Sequence, residues 1–287
     1  MRIETKAVLA LFAVTFFWGM TFPLIRASAG DISPGLFVAI RLGLSALLFI
    51  PLVIGKKYEH KKLILKIGFI FGMLEGASYL FQTIGLVTIS SSESAFITAF
   101  SVVLIPFLSP LFGLDRLRIN GVIASALCLL GIFILSGAKF THLAPGYFWT
   151  FGCATAYALS VVYLSYETRK MEKNGLNMKN TRFLVLLQIA FGVPIPLTAS
   201  YFETTFITLS PIVIIALVFC AASTIFCYVM QTNYQKKINM NKVAVIYAFE
   251  PIFATIFGRL INAEPIYLHT VIGGAFVIAS FLIVELF

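Results

Sequence analysis

Three ionisable side chains lie inside long apolar stretches of this 287-residue chain: Arg41, Glu75 and Glu250. At bilayer depth such a group costs on the order of 2.5–3.5 kcal/mol on insertion scales, so it needs a partner or a polar cavity. Helical spacing places Gly68, Gly72, Glu75, Tyr79 and Gln82 on one face, which joins close backbone approach to a polar column. A carboxylate there could take up and release a proton, or be held permanently by Arg41 or by tyrosine hydroxyls. Glu250 precedes Pro251 and shares a face with Tyr247, Ala254 and Gly258. Proline removes a backbone donor and kinks the helix, and the carbonyl freed near residue 247 then needs another partner. Such a break beside a carboxylate suits a cation or an amine. Arg41 keeps its proton; its fork could bind a carboxylate, or it could act as counter-ion to Glu75 or Glu250.

The elements that must carry these groups follow from composition. The chain is 60% hydrophobic and 11% charged, with a net charge of +9; soluble domains run at roughly 45–50% apolar and about 25% charged. A disordered chain and a secreted disulfide scaffold are excluded. Lysine pairs such as Lys56-Lys57, Lys61-Lys62 and Lys236-Lys237 sit between apolar blocks, which points to a membrane surface and not to nucleic acid. A membrane-crossing helix takes about 20 apolar residues. Ten such blocks occur, at 7–27, 33–54, 63–86, 93–112, 119–136, 145–167, 181–201, 210–233, 242–261 and 267–287. The first is long for a signal peptide, lacks a cleavage site and is expected to be retained. With the N-terminus inside, 17 Lys and Arg fall on the cytoplasmic side, among them Arg116, Arg118, Lys179 and Lys242. Only Arg26, Lys139 and Arg259 fall outside, which places both termini in the cytoplasm. Cys128, Cys153, Cys220 and Cys227 lie within spans without C-x-x-C spacing, and His60, His142 and His269 lie at or beyond block ends. Neither pattern indicates a metal, a cofactor or a disulfide.

An offset of 149 residues pairs Tyr79-x-x-Gln82-Thr83 with Tyr228-x-x-Gln231-Thr232, Ala99-Phe100 with Ala248-Phe249, and Asp115 with Glu264. Without a gap, 12 of 48 positions from residue 79 are identical. Five blocks per repeat is an odd number, so the halves must enter the membrane in opposite senses, as in secondary transporters that alternate access around a central site. By that symmetry Tyr79 and Gln82 should face Tyr228 and Gln231 near the midplane. Trp18, Thr21, Tyr157 and Tyr163 are further candidates for cavity walls, while Gly72-x-x-x-Gly76 and Gly273-Gly274-Ala275 read as helix-packing surfaces.

Trp18-Gly19, Ala39-Ile40-Arg41-Leu42, Phe249-Glu250-Pro251-Ile252-Phe253, Glu264 and Gly273-Gly274 together resemble the ten-helix EamA branch of the drug/metabolite transporter superfamily. The first half departs from that pattern, with Ser101-Val102 where the second has Glu250-Pro251. The resemblance implies an all-α membrane fold of two inverted repeats, 1–140 and 141–287, in a prokaryotic inner membrane. It implies secondary transport of amino acids or related small metabolites, with export favoured, and no enzymatic reaction. It also places an arginine at Arg41 across diverse substrates and a Glu-Pro pair as a recurrent feature. The chain has no G-x-x-x-x-G-K-[ST] loop, so the energy should come from a gradient. The expected site comprises Arg41, Glu75, Tyr79, Gln82, Tyr228, Gln231, Tyr247, Glu250 and Trp18, with the fifth and tenth blocks further away. The expected partners are a small-molecule substrate and the lipid bilayer, with the chain a monomer or homodimer. A membrane scaffold or receptor would leave the deep acids unexplained, and a lipid-modifying enzyme would need acids or histidines gathered at one membrane face.

Overall fold

The computed structural model describes residues 3–114, 119–135, 144–174, 181–238, 243, 246, 247 and 249–286. Asp115, Arg116, Arg118, Lys139, His142, Lys179, Lys242 and Ala248 lie outside the described residues. Helices α1 (Ile3–Ser28), α2 (Pro34–Phe49) and α3 (Lys61–Leu86) are followed by α4 (Ser91–Thr98), α5 (Phe100–Leu108) and α6 (Ile119–Leu135). The remaining elements are α7 (Pro145–Lys173), α8 (Thr181–Ala190), α9 (Pro194–Phe202), α10 (Pro211–Tyr234), Glu250–Asn262 as α11 and Leu268–Leu286 as α12. Each of the ten apolar blocks carries helix. Among the described residues six spans are long and apolar enough to cross a membrane: those beginning at Ile3, Pro34, Lys61, Pro145, Thr181 and Pro211.

The distribution of polarity is that of a protein dissolved in lipid. Leu47, Phe148, Val218, Leu260 and Leu268 are exposed, while Arg41, Glu75, Gln82, Gln188, Gln231 and Glu250 are buried. In water this would be a costly inversion; in hydrocarbon it removes polar groups from the apolar solvent.

Among the described residues three blocks are broken. The seventh block turns at Phe191-Gly192-Val193 because Pro194 opens α9. In the fourth, α4 ends at Thr98 and α5 restarts after Ala99. In the ninth, α11 starts at Glu250 with Pro251 in its first turn, where the missing N–H costs nothing. Helix starts are satisfied by carboxylates, as the helix dipole favours. Glu203 accepts from the Gly35 and Leu36 amides, and Glu264 accepts from the Ser91 amide and hydroxyl. At the other ends of α7 and α10, Glu172 pairs with Lys236 at 2.5 Å.

Several of the main helix pairings recur when the halves are exchanged. α3 lies on α7 as α10 lies on α1, α3 lies on α8 as α10 lies on α2, and α6 packs on α12, its own counterpart. Glycines permit the closest approaches. A Cβ on Gly72 would lie 2.6 Å from the Gln188 carbonyl, and one on Gly76 would overlap the Gly192 carbonyl. A Cβ on Gly19 would meet Phe253 Cβ at 2.6 Å, so Gly19 admits the first turn of α11 against α1. Gly43 has nothing within 4 Å of such an atom.

Gly76→Leu is therefore expected to lower stability by about 1–3 kcal/mol or to prevent folding. Gly43→Ala should be neutral or stabilising by about 0.5–1 kcal/mol. Thermal unfolding of the detergent-purified variants checks both, and a Gly76→Leu protein as stable as the parent would refute the close approach of α3 to the turn at Gly192.

Candidate functional site

The middle of α1 and α3, the end of α4, the middle of α7 and the start of α11 converge on one cavity. From α3 come Glu75, Ser78, Tyr79 and Gln82, spaced at three and four residues so that they share a face. Trp18 and Thr21 come from α1, Thr98 from α4, Cys153 and Tyr157 from α7, and Glu250 from α11. The space is small, with room for a water molecule or two.

Both deep acids thus open onto the same wall. One oxygen of Glu75 is hydrogen-bonded to the Ser160 hydroxyl of α7, and the other accepts from the Tyr228 hydroxyl of α10 at 3.1 Å. Glu250 is the first residue of α11, at the positive end of that helix. Among the described residues its carboxylate makes no hydrogen bond and no ion pair.

Arg41 pairs with neither acid, which corrects the counter-ion expectation; the ion pairs found among the described residues are those of Glu172 with Lys236 and Lys237. Its guanidinium lies over the Tyr79 ring, 4.0 Å from the centroid, and its Nε donates to Thr224 Oγ1 at 2.9 Å. The Thr224 hydroxyl in turn donates a hydrogen bond to the Cys220 carbonyl. Arg41 is fully buried, yet Nη1 and Nη2 have no hydrogen-bond partner among the described residues. Tyr79 forms part of the cavity wall and Arg41 does not, so the guanidinium sits behind the tyrosine ring.

The repeat-related pairs divide. Tyr79 and Tyr228 stack with ring centroids 6.3 Å apart and planes 12° from parallel. Gln82 reaches the cavity, whereas Gln231 is buried away from it, its amide without a hydrogen bond of normal length and angle. Tyr247 is not on the wall. Its hydroxyl donates to Gln235 Oε1 at 3.3 Å, and its ring packs edge-on against Trp18, 5.7 Å between centroids. Trp18 also meets Tyr157 edge-on at 5.6 Å, and the Trp18 Nε1 and Tyr157 hydroxyl have no hydrogen-bond partner among the described residues. Of the weaker candidates, Thr21 and Tyr157 line the cavity and Tyr163 does not. The fifth and tenth blocks contribute no lining residue.

Sequence reasoning missed Ser160, Thr224 and Gln235, which hold Glu75, Arg41 and Tyr247 respectively. Thr224 had a signal, since the 149-residue offset makes it the counterpart of Glu75. Ser160 and Gln235 had none, because a lone hydroxyl or amide in a helix is equally at home in packing. No group of three or more His, Cys, Asp or Glu able to hold a metal occurs among the described residues. The arrangement offers two carboxylates, aromatic faces and a few hydroxyl and amide groups to a small polar guest.

Tyr228→Phe removes a donor to Glu75 and should cost about 1–3 kcal/mol of stability, read by unfolding of the purified variant. A variant indistinguishable from the parent would show that this bond does not hold the carboxylate.

Comparison with known proteins places this geometry in context. The model of the EamA-like transporter family matches residues 5–137 and again 144–286. An uncharacterized transporter from Archaeoglobus fulgidus is 27% identical over 281 residues, covering 98% of this chain and 86% of its own length. The uncharacterized transporter YoaV of Bacillus subtilis is 22% identical over 275 residues, covering 93% and 92%. A solved crystal structure shares the fold with a TM-score of 0.68 at 17% identity, covering 99% of this chain and 97% of that one.

Proposed function

The chain belongs to the EamA-like transporter family and is a multi-pass membrane transporter, and from that premise we propose that it is a secondary active transporter working by alternating access. Its two halves, 1–140 and 141–287, act as inverted five-span repeats, with both termini cytoplasmic in a prokaryotic inner membrane. Support for the repeats comes from the two matched stretches and from the main helix pairings that recur when the halves are exchanged. The cargo is a small polar or amphipathic metabolite, amino-acid-like, with export the favoured direction. A gradient of protons, of another ion or of a counter-substrate supplies the energy.

The observation that carries this reading is the placement of Glu75 and Glu250 on one cavity wall without an ion-paired base. Two acids held at that depth are costly, and a scaffold would have no use for them. In the proposed cycle the cavity opens alternately to either side, and Glu75 or Glu250 carries the coupling charge. Tyr79, Gln82 and Trp18 contact cargo, while Arg41, Tyr228, Gln231 and Tyr247 shape the wall from behind.

Proteoliposomes loaded with a metabolite mixture test the coupling. Glu75→Gln and Glu250→Gln should each reduce gradient-driven flux at least about 10-fold, a loss of roughly 1.4 kcal/mol or more in transition-state stabilisation, and flatten its pH dependence. Full, pH-independent transport by both variants would remove the carboxylates from the mechanism. Topology has its own check, because the four native cysteines are buried. A cysteine at exposed Lys57 should react with an impermeant thiol reagent only from the cytoplasmic side, and one at exposed Thr204 only from outside. The reverse pattern would invert the assigned orientation.

A further inference from the structure

We propose that the cavity recognises its guest by an ammonium group: it is a site for primary organic amines, seated between Glu250 and Glu75 against the rings of Trp18 and Tyr157. The proposal rests on the transport reading only in taking that guest to be the cargo.

Charge argues first. The wall presents two carboxylates and no cation, since Arg41 lies behind Tyr79. A guest carboxylate would set a negative charge beside two acids in a desolvated space, while an ammonium would be attracted to either acid in its ionised form. Hydrogen bonding argues the same way. Glu250 has all its acceptor sites free of described partners, and each Glu75 oxygen, with one donor already, keeps a further lone pair. An –NH3⁺ group brings three donors to such a set of acceptors.

The aromatic rings complete the match. Trp18 and Tyr157 stand edge-to-face on the wall with Tyr247 packed behind both. Aromatic groups of this kind attract ammonium ions through their ring quadrupoles. The unpartnered Tyr157 hydroxyl adds another acceptor.

The test uses the purified full chain and three probes that share one ring and differ in the head: phenethylamine, 3-phenylpropanoate and N-acetylated phenethylamine. Phenethylamine should raise the melting temperature and the other two should not. In Glu250→Gln its dissociation constant should weaken at least about 10-fold, equivalent to roughly 1.4 kcal/mol. The proposal is overturned if 3-phenylpropanoate binds, if none of the three binds, or if Glu250→Gln binds the amine as the parent does. Should Glu250→Gln not fold, the three probes on the unaltered chain decide alone. Metabolite flux in vesicles without amine binding would sink this proposal and leave the transport reading standing. Amine binding with no flux of any solute would do the reverse.

Discussion

The structure turns on a separation of charge: a buried guanidinium and two buried carboxylates share the helix bundle without joining. Had Arg41 bonded Glu75 directly, the pair would have been a closed structural unit, and breaking it would cost about 3–5 kcal/mol. Instead Arg41 rests on the face of Tyr79 and on Thr224, both neutral. Glu75 is held by two hydroxyls and Glu250 by nothing described beyond the first turn of its own helix. Each group is therefore oriented without being neutralised by a permanent partner. Tyr79 is central to this arrangement, since one residue screens Arg41, lines the cavity and stacks on Tyr228.

Backbone breaks and glycine contacts make the arrangement possible. α11 begins at the carboxylate because Pro251 is tolerated only in a first turn, and Gly19 lets that turn approach α1 next to Trp18. Gly72 and Gly76 bring α3 hard against Gln188 at the end of α8 and the turn that follows it, fixing the rotation of α3 and with it the direction of Glu75 and Gln82. The cavity is consequently bounded by the continuous helices α1, α3 and α7 together with two helix ends, Thr98 of α4 and Glu250 of α11.

Much of this was legible in the sequence. Bilayer-length apolar blocks located the helices, the three- and four-residue spacing from Glu75 to Gln82 located the polar face, and the 149-residue offset anticipated the meeting of Tyr79 with Tyr228. What escaped was azimuth. Sequence gives the depth of Arg41, Glu75 and Glu250 but not which way each points, so a counter-ion role for Arg41 was as reasonable as its stack on Tyr79. The halves also differ where chemistry matters, with Glu75 opposite Thr224 and Glu250 opposite Ser101. Symmetry therefore misplaced Gln231, which lies off the cavity although Gln82 is on it. The break at Gly192 has its signal in Pro194 and Pro196, which block length and apolarity alone do not register.

A solved structure of the full chain with phenylalanine bound tests the central claim most directly, because that ligand carries an ammonium and a carboxylate together. The separation of charge predicts the ammonium within about 3.2 Å of Glu250 or Glu75, the ring against Trp18 and Tyr157, and Arg41 still lying on Tyr79. A ligand carboxylate bonded to the Arg41 guanidinium, with Tyr79 swung aside, would contradict it.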